Sequence, residues 1–311
     1  MRSVTAPAAA GRADGRHEVV VTRHQWRGHS YEARYVRGAS SRTAPLVLVG
    51  GAFQTKEGWG RLEREFLAFA DVLAVDLPGW GSSPVLPEQY GTDFLSDALS
   101  QILDDLELTE VNLLGGSYGS AVVYRLAQRQ SDRVAKMVLA GTMMRIPEQA
   151  HAPIRRSLEL LAAGEMDEFA EVTLGMLINA DTVASVVAGT RVRRFLQRRL
   201  LNMTPRDKQQ FIANSRRLLQ HEGLDLRQPP TMPVLAIAGE HDNFTTPERC
   251  RALARTCPDS RFAVVADADH MLPVERPVEL ADLVRRFLLG EPMGEVGYCR
   301  TVERISPLVL V

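Results

Sequence analysis

The stretch VNLLGGSYGSAVVYRLA, residues 111–127, passes from an apolar run to an amphipathic run through a serine between glycines. The apolar run predicts a buried strand, and the amphipathic run predicts a helix. Residues 115–119 fit the pattern G-x-S-x-G, in which a serine stands on a strained strand-to-helix turn and needs small neighbours. A plain glycine-rich turn is the alternative, but the strand before the serine and the helix after it favour the motif. Ser117 is therefore the predicted nucleophile.

The rest of the chain repeats this plan of strand and helix. Five further apolar runs follow the same plan, and helical patterns separate most of them. These runs are residues 44–53, 71–83, 134–142, 232–242 and 260–270. Continuous apolar strands that alternate with helices are typical of an α/β fold, with a mostly parallel sheet covered by helices on both faces. Two β-rich runs within residues 17–38 precede the series. In such sheets, sites form in the loops at the carboxyl ends of the strands.

One segment breaks the alternation, because residues 147–230 are helical in pattern throughout. We interpret them as a helical cap inserted before the penultimate strand. The α/β core then comprises residues 17–146 and 231–290, and residues 291–311 form a C-terminal tail. Residues 1–16 are small and basic and lack the apolar core of a secretory signal, so they are predicted to be a disordered tail.

A serine hydroxyl is a weak nucleophile until a base takes its proton. Among the seven histidines, His270 directly follows the last apolar run and precedes a helix that begins with proline. The other histidines lie on amino-terminal strands or in the cap, apart from His241, which ends a strand and is the serious rival. His270 is the predicted base.

The base needs a carboxylate that holds its tautomer and stabilises the imidazolium. Asp242 ends the penultimate strand in a turn, and the resulting chain order of serine, aspartate and histidine is the order expected with this motif. Glu240, two residues away, is the near alternative. Asp267 and Asp269 adjoin His270 on one loop, and we expect them to face solvent or to brace that loop.

Two backbone amides should hold the oxyanion that forms when the serine attacks a carbonyl. The amide of Tyr118, directly after the nucleophile, is expected to be one of them. The other should come from the loop after the first parallel strand, where two glycines allow a close turn and Ala52 follows. Phe53 is the alternative if the register slips by one residue.

The composition limits the partners. The chain has 311 residues, 45% of them apolar and 24% charged, with a formal net charge of −1. This is the composition of a soluble globular protein, and no global field draws it to nucleic acid or to an anionic membrane. No run approaches the roughly 18 apolar residues of a membrane span. The three cysteines have neither the number of a disulfide framework nor the spacing of a zinc site. We expect a cytoplasmic protein with no metal and no cofactor; its oligomeric state stays open.

With these residues identified, residues 17 to about 290 resemble the α/β-hydrolase superfamily. The segment VDLPGWGSS, residues 75–83, resembles that superfamily's aspartate-proline-glycine turn, in which the aspartate, here Asp76, is structural rather than catalytic. Three segments are similar to a narrower group, the bacterial 3-hydroxyacyl-ACP transacylases and thioesterases and the 3-(3-hydroxyalkanoyloxy)alkanoate synthases. They are LVGGAFQTKEGW (48–59), GEHDNFTTPERCRAL (239–253) and DHMLPVE (269–275). This chain departs from the group at the elbow, which there lacks the first glycine and has tryptophan after the serine.

The resemblance implies serine-dependent acyl transfer through an acyl-enzyme, on a small ester or thioester substrate. A thioester would be carried by an acyl carrier protein or CoA, and the acceptor would be water, an alcohol or a thiol. Two other readings stay open. The same fold could act as a carbon–carbon bond hydrolase or a serine aminopeptidase, or the chain could be a binding or receptor protein with low turnover.

The predicted cap adds two features. Leu, Met, Phe and Ile recur at helical spacing, and they either line a tunnel for an acyl chain or pack the cap onto the core. A basic cluster could dock an acidic carrier protein or the phosphate of a pantetheine arm, and its alternative is a solvated helix face. The cluster consists of Arg191, Arg193, Arg194, Arg198 and Arg199.

Overall fold

The computed structural model describes residues 8–13, 17–294 and 296–305. Ten strands form one sheet. They are β1 (Ala8–Ala13), β2 (His17–Trp26), β3 (His29–Val36), β4 (Leu46–Val49), β5 (Val72–Asp76), β6 (Val111–Gly116), β7 (Val134–Ala140), β8 (Val234–Gly239), β9 (Ser260–Val265) and β10 (Cys299–Ile305). Their spatial order is β1-β2-β3-β5-β4-β6-β7-β8-β9-β10.

The sheet has a parallel centre and antiparallel edges. Strands β5, β4, β6, β7, β8 and β9 run parallel to one another, whereas β1, β2, β3 and β10 pair antiparallel with their neighbours. Every residue of β4, β5, β6 and β8 is buried, as expected for strands covered on both faces. The predicted α/β fold with a mostly parallel sheet is therefore confirmed.

Helices cover both faces of the sheet. They are α1 (Gly60–Phe66), α2 (Thr92–Asp105), α3 (Tyr118–Arg129), α4 (Glu148–Ala163), α5 (Met166–Leu177), α6 (Gly189–Leu201), α7 (Pro205–Leu219), α8 (Pro247–Ala254), α9 (Leu272–Glu275) and α10 (Pro277–Leu289). One apolar cluster joins α2 and α3 to the sheet, and a second joins α1 and α10 to its other face. No helix within the described ranges is long and apolar enough to cross a membrane.

Four helices, α4 to α7, lie between β7 and β8 and have an apolar core of their own. Phe169 and Phe211 meet edge to face at its centre, with ring centroids 4.9 Å apart. Helix α7 joins this cap to the loop after β5, where Gln210 donates to the carbonyls of Gly81 and Ser83. The cap therefore stands over the loops at the carboxyl ends of the strands.

Both chain ends add strands that the sequence did not indicate. Residues 8–13, within the segment predicted to be disordered, pair antiparallel with β2, so that prediction is wrong for these six residues; the rest of residues 1–16 lies outside the described residues. Residues 299–305 of the predicted C-terminal tail pair antiparallel with β9. Edge pairing rests on backbone hydrogen bonds, so neither strand needs the apolar pattern by which a buried strand is recognised.

Candidate active site

Ser117 stands on the sharp turn between β6 and α3, and its backbone is in a strained region with φ 49° and ψ −117°. The flanking glycines make room for this turn. A Cβ atom on Gly115 would lie 2.5 Å from a methyl group of Val123, and one on Gly119 would lie 2.2 Å from the carbonyl oxygen of Val49. The sequence pattern of small residues around the serine thus has a steric cause at both positions.

The structure brings the three predicted side chains together at the carboxyl ends of β6, β8 and β9. Ser117 Oγ lies 3.1 Å from His270 Nε2, and His270 Nδ1 lies 2.9 Å from Asp242 Oδ2. Both distances are those of hydrogen bonds. The imidazole lies between the serine hydroxyl and the carboxylate, which is the arrangement that a serine, a base and an acid require. The side chains of His270 and Asp242 are almost fully buried, whereas Ser117 is partly exposed.

The pKa values of His270 and Asp242 depend on the burial of both side chains and on their interaction with each other. Burial alone would lower the pKa of His270, but the adjacent Asp242 carboxylate outweighs it and raises the pKa above its usual value. Burial would also raise the pKa of Asp242, yet His270, the Thr245 hydroxyl and the Thr245 amide hold it below its usual range. The site therefore favours an ionised aspartate and stabilises a charged histidine.

Thr245 is a site residue that sequence reasoning missed. Its hydroxyl donates to Asp242 Oδ2 at 2.5 Å, and its oxygen lies 3.0 Å from His270 Nδ1. The amides of Phe244 and Thr245 donate to Asp242 Oδ1 at 2.9 and 2.7 Å. The signal in the sequence is the turn after Asp242, since an aspartate often accepts hydrogen bonds from amides two and three residues on.

The rival acids take other roles. Asp269 is buried, and it accepts hydrogen bonds from the His270 amide at 2.8 Å and from the amide of Asn179 in the cap at 2.6 Å. Glu240 accepts from the Asp267 amide and pairs with Arg300. No hydrogen bond joins Glu240 or Asp267 to the His270 ring in the described part of the chain. Asp269 braces the loop, and Asp267, which also pairs with Arg300, is half exposed.

Behind this loop lies a second buried carboxyl group that the sequence did not indicate. Glu275 Oε2 accepts the Asp269 amide at 2.7 Å, and Glu275 Oε1 has no hydrogen-bond partner among the described residues. Burial raises the pKa of Glu275 to about 8, and burial also raises the pKa of Asp269. Glu275 is therefore mostly protonated at neutral pH, which avoids a further buried negative charge beside Asp242.

The residues of the two predicted oxyanion donors, Ala52 and Tyr118, line the same cavity as Ser117. Tyr118 begins α3, where the first amides have no partner within the helix. In the loop after β4, a Cβ on Gly51 would lie 3.3 Å from Ser117 Cβ, so this loop runs directly beside Ser117. The amides of Ala52 and Phe53 donate no hydrogen bond within the described ranges, so the geometry leaves both candidates for the second donor.

A buried ion pair holds the loop after β4, the predicted oxyanion loop, in place. Asp76 accepts the Lys56 amide at 2.7 Å and the Lys56 ammonium at 3.0 Å, and a Cβ on Gly81 would lie 2.2 Å from the Asp76 carboxylate. Trp80 Nε1 also donates to the carbonyl of Gly51 at 2.9 Å. Asp76 is thus a structural residue that joins the loops after β4 and β5, as the sequence resemblance implied.

An apolar cavity of about 370 Å³ extends from Ser117 between the sheet and the cap. Its volume lies in the range of pockets for small organic ligands. The walls are mainly apolar, with Phe53, Ile154 and Leu196 among them. Five methionines also line the cavity, namely Met143, Met144, Met176, Met203 and Met271. Methionine side chains are flexible, so the walls can adapt to apolar ligands of varied shape.

One group of potential metal ligands occurs among the described residues. Glu240, His241 and Asp267 offer ligand atoms within 4.8 Å of one another. Arg300 pairs with both carboxylates, at 2.9 and 3.3 Å, so a cation already balances them. The group also lies outside the cavity that contains Ser117. It is therefore a surface ion-pair network on the outside of the site.

Comparisons with known proteins agree with this architecture. The family model of the alpha/beta hydrolase fold matches residues 44–277. A 2-hydroxy-6-oxononadienedioate/2-hydroxy-6-oxononatrienedioate hydrolase of Cupriavidus pinatubonensis is 30% identical, over 81% of this chain and 88% of its own length. An (R)-3-hydroxydecanoyl-ACP:CoA transacylase of Ectopseudomonas oleovorans is 26% identical, over 88% of this chain and 91% of its own.

The fold also recurs among solved structures. MGS-M2, an alpha/beta hydrolase enzyme from a Medee basin deep-sea metagenome library, superposes with a TM-score of 0.76. The match covers 89% of this chain and all of that one, at 16% sequence identity. At this identity the match supports the architecture alone, and the chemistry must be argued from the residues around Ser117.

Proposed function

Because the chain belongs to the family with the alpha/beta hydrolase fold, we propose that it is an enzyme that transfers acyl groups through a serine acyl-enzyme. Its substrate is an ester or thioester with an apolar acyl chain. The observation that carries the proposal is the pair of hydrogen bonds from Ser117 to His270 and from His270 to Asp242, at the mouth of an apolar cavity.

The first half of the reaction forms the acyl-enzyme. His270 Nε2 takes the proton from Ser117 Oγ as the oxygen attacks the substrate carbonyl carbon. The Asp242 carboxylate stabilises the imidazolium, and its four hydrogen bonds keep it ionised and fixed. The amides of Tyr118 and of Ala52 or Phe53 hold the tetrahedral oxyanion, and each such donor contributes roughly 3 kcal/mol. The carbonyl re-forms, and the leaving alcohol or thiol receives the proton from His270.

The second half releases the acyl group. Water, or an acceptor alcohol or thiol, gives its proton to His270 and attacks the acyl-enzyme carbonyl. The same amides hold the second oxyanion, and Ser117 leaves with the proton from the imidazolium. Hydrolase and transferase share every residue of this sequence of steps, so the acceptor depends on what the cap admits to the cavity.

The cavity favours acyl substrates over the main alternative. The hydrolase relative from Cupriavidus pinatubonensis acts, by its name, on a dioate, a substrate with two carboxylates. Such a substrate would need cationic partners inside the cavity, whose walls here are mainly apolar. Two exposed arginines, Arg145 and Arg199, are among the lining residues, and the Arg199 guanidinium already donates to the Phe53 carbonyl at 2.5 Å. A carbon–carbon bond hydrolase of this fold is therefore the second candidate.

Active-site labelling and a substrate series test the proposal. A fluorophosphonate probe should label wild-type protein at Ser117 and leave the Ser117→Ala variant unlabelled. p-Nitrophenyl esters and 3-hydroxyacyl thioesters of increasing length should then show a preference for medium chains. Turnover of a dienedioate with no turnover of any ester or thioester would favour the second candidate. Activity of Ser117→Ala near that of wild type would contradict the nucleophile.

A further inference from the structure

The large exposed apolar side chains of the described residues fall in two segments of the chain that contact each other. Five such side chains lie on these segments, 187–201 and 274–278. They are Val187, Phe195, Leu201, Val274 and Val278. Helix α6, in the first segment, contacts α9, in the second. An exposed apolar patch of this kind usually marks an interaction site.

The outer face of α6 combines this patch with positive charge. Arg191, Arg194 and Arg198 follow one another at spacings of three and four residues, so they share one face of the helix with Phe195. All three arginines are exposed, and no carboxylate of the described chain pairs with them, whereas Arg193 is paired with Glu171. We call Phe195 and these three arginines the α6 face. The overall net charge of −1 conceals this local excess.

The α6 face adjoins the entrance to the cavity. Phe195 is half exposed and also lines the cavity that contains Ser117, as does the exposed Val274 of α9. The three arginines themselves lie outside the cavity lining. A partner bound to the α6 face would therefore stand over the entrance without filling the cavity.

We propose that the α6 face is the docking surface for an acidic protein that delivers the acyl group to Ser117 on a flexible arm. This inference rests on the proposed function. Charge complementarity with three unpaired guanidinium groups requires an anionic partner, and the exposed Phe195 at their centre is the aromatic anchor typical of protein interfaces. Because the arginines lie along one exposed helix face and outside the cavity lining, they suit a broad partner better than a small anion in a cleft.

An anionic membrane is less suited to this surface. A helix that lies on a bilayer inserts its apolar face into the lipid. The apolar face of α6 is already buried, since Val192, Leu196 and Leu200 pack in the core of the cap. Only Phe195 and Leu201 remain exposed on this helix. The outer face that is left is mainly charged, which matches an acidic protein surface.

Two substrates with the same acyl group separate docking from chemistry. One is the decanoyl thioester of an acidic acyl carrier protein, and the other is decanoyl-N-acetylcysteamine, a small neutral thioester. In the variant Arg191→Glu/Arg194→Glu/Arg198→Glu, kcat/KM for the carrier-bound substrate should fall at least about ten-fold, mainly through KM. The kcat/KM for the small thioester should stay unchanged. Added salt should weaken the wild-type preference for the carrier-bound substrate.

A matched control makes the same change of charge elsewhere. Arg42, Arg64 and Arg255 are exposed, unpaired within the described chain and absent from the cavity lining. Their triple replacement by glutamate should leave kcat/KM for both thioesters near wild type. A loss in the control equal to that in the α6 variant, or equal losses on both thioesters, would overturn the docking surface.

A binding measurement keeps this test independent of turnover. The Ser117→Ala protein should bind a fluorescent acyl carrier protein, and the three arginine changes should abolish that binding. Binding with no turnover of any ester or thioester by the wild type would contradict the proposed function and support the docking surface. No binding of the carrier would overturn the docking surface, as would binding to phosphatidylglycerol vesicles in its place.

Discussion

Gly119 is the most demanding position of the elbow, and its replacement by alanine tests the steric argument. The new methyl group would lie 2.2 Å from the Val49 carbonyl oxygen and 2.7 Å from that of Gly50. Both atoms belong to backbone, so α3 and the end of β4 would have to separate by most of an ångström. Overpacking of this kind costs about 1–3 kcal/mol, and Gly119→Ala should be at the upper end of that range.

Two measurements follow from that displacement. The melting temperature should fall by roughly 5 °C or more, since each kcal/mol shifts Tm by about 2–4 °C in a domain of this class. The value of kcat should fall roughly 10²-fold, because the oxyanion loop begins at Gly50 and would move with it. Circular dichroism melts and ester hydrolysis measure the two effects.

Gly116 supplies the matched control within the same motif. A methyl group there would meet its nearest neighbours at 4.0 Å, which is ordinary contact. The Gly116→Ala variant should therefore keep its free energy of unfolding within about 0.5 kcal/mol of wild type. If Gly119→Ala melts as Gly116→Ala does, the steric explanation of the elbow is wrong.

Four further predictions concern the buried groups. Asp242→Asn should lower kcat about 10⁴-fold, because the reactive tautomer of His270 is lost, whereas Asp269→Asn should lower kcat far less. Equal losses of kcat in the two variants would mean that Asp242 is not the acid that supports His270. The pKa of His270 is raised, and the histidine must be neutral to act as the base, so kcat/KM should fall at low pH with an apparent pKa above 6.5. An apparent pKa below 6.5 in the pH profile would contradict the raised pKa of His270. Thr245→Val should lower kcat roughly 10–100-fold and Thr245→Ser should keep it near wild type, because a hydrogen bond to a charged group contributes about 1.5–3 kcal/mol. Equal kcat in all three proteins would show that the Thr245 hydroxyl has no role in the reaction. The pKa of Glu275 rises on folding from 4.5 to about 8, so the free energy of unfolding should be highest below pH 4.5 and should fall by up to about 1.4 kcal/mol per pH unit as the pH rises towards 8. Urea unfolding at several pH values should show this fall in the wild type and not in Glu275→Gln.

The sequence was sufficient to predict those parts of the candidate site that depend on the order of the strands. Ser117, Asp242 and His270 each follow a buried strand, and parallel strands bring their carboxyl ends to one edge of the sheet. A pattern of apolar runs therefore predicts that these side chains lie close together. The distances that join them could not be predicted, because they depend on the turns after each strand.

Other features depend on contacts that no local pattern encodes. The hydroxyl of Thr245 reaches both Asp242 and His270 only because the turn after β8 folds back onto the loop after β9. Glu275 is followed by Arg276 and a helix, a context that predicts an exposed side chain, yet packing against the Asp269 loop buries it. Strand β1 is recognisable only from its pairing with β2.

The cap is joined by hydrogen bonds to the loop that carries the base. The amide of Asn179 donates to Asp269, its side chain donates to the His241 carbonyl, and the amide of Val187 donates to the Asp267 carbonyl at 2.8 Å. At about 1 kcal/mol each, these bonds contribute roughly 3 kcal/mol to the placement of that loop. An engineer who grafts a relative's cap onto this core, to obtain a new specificity, would therefore have to retain residues 179–187. A chimera that omits them would inherit a different pocket together with a misplaced histidine.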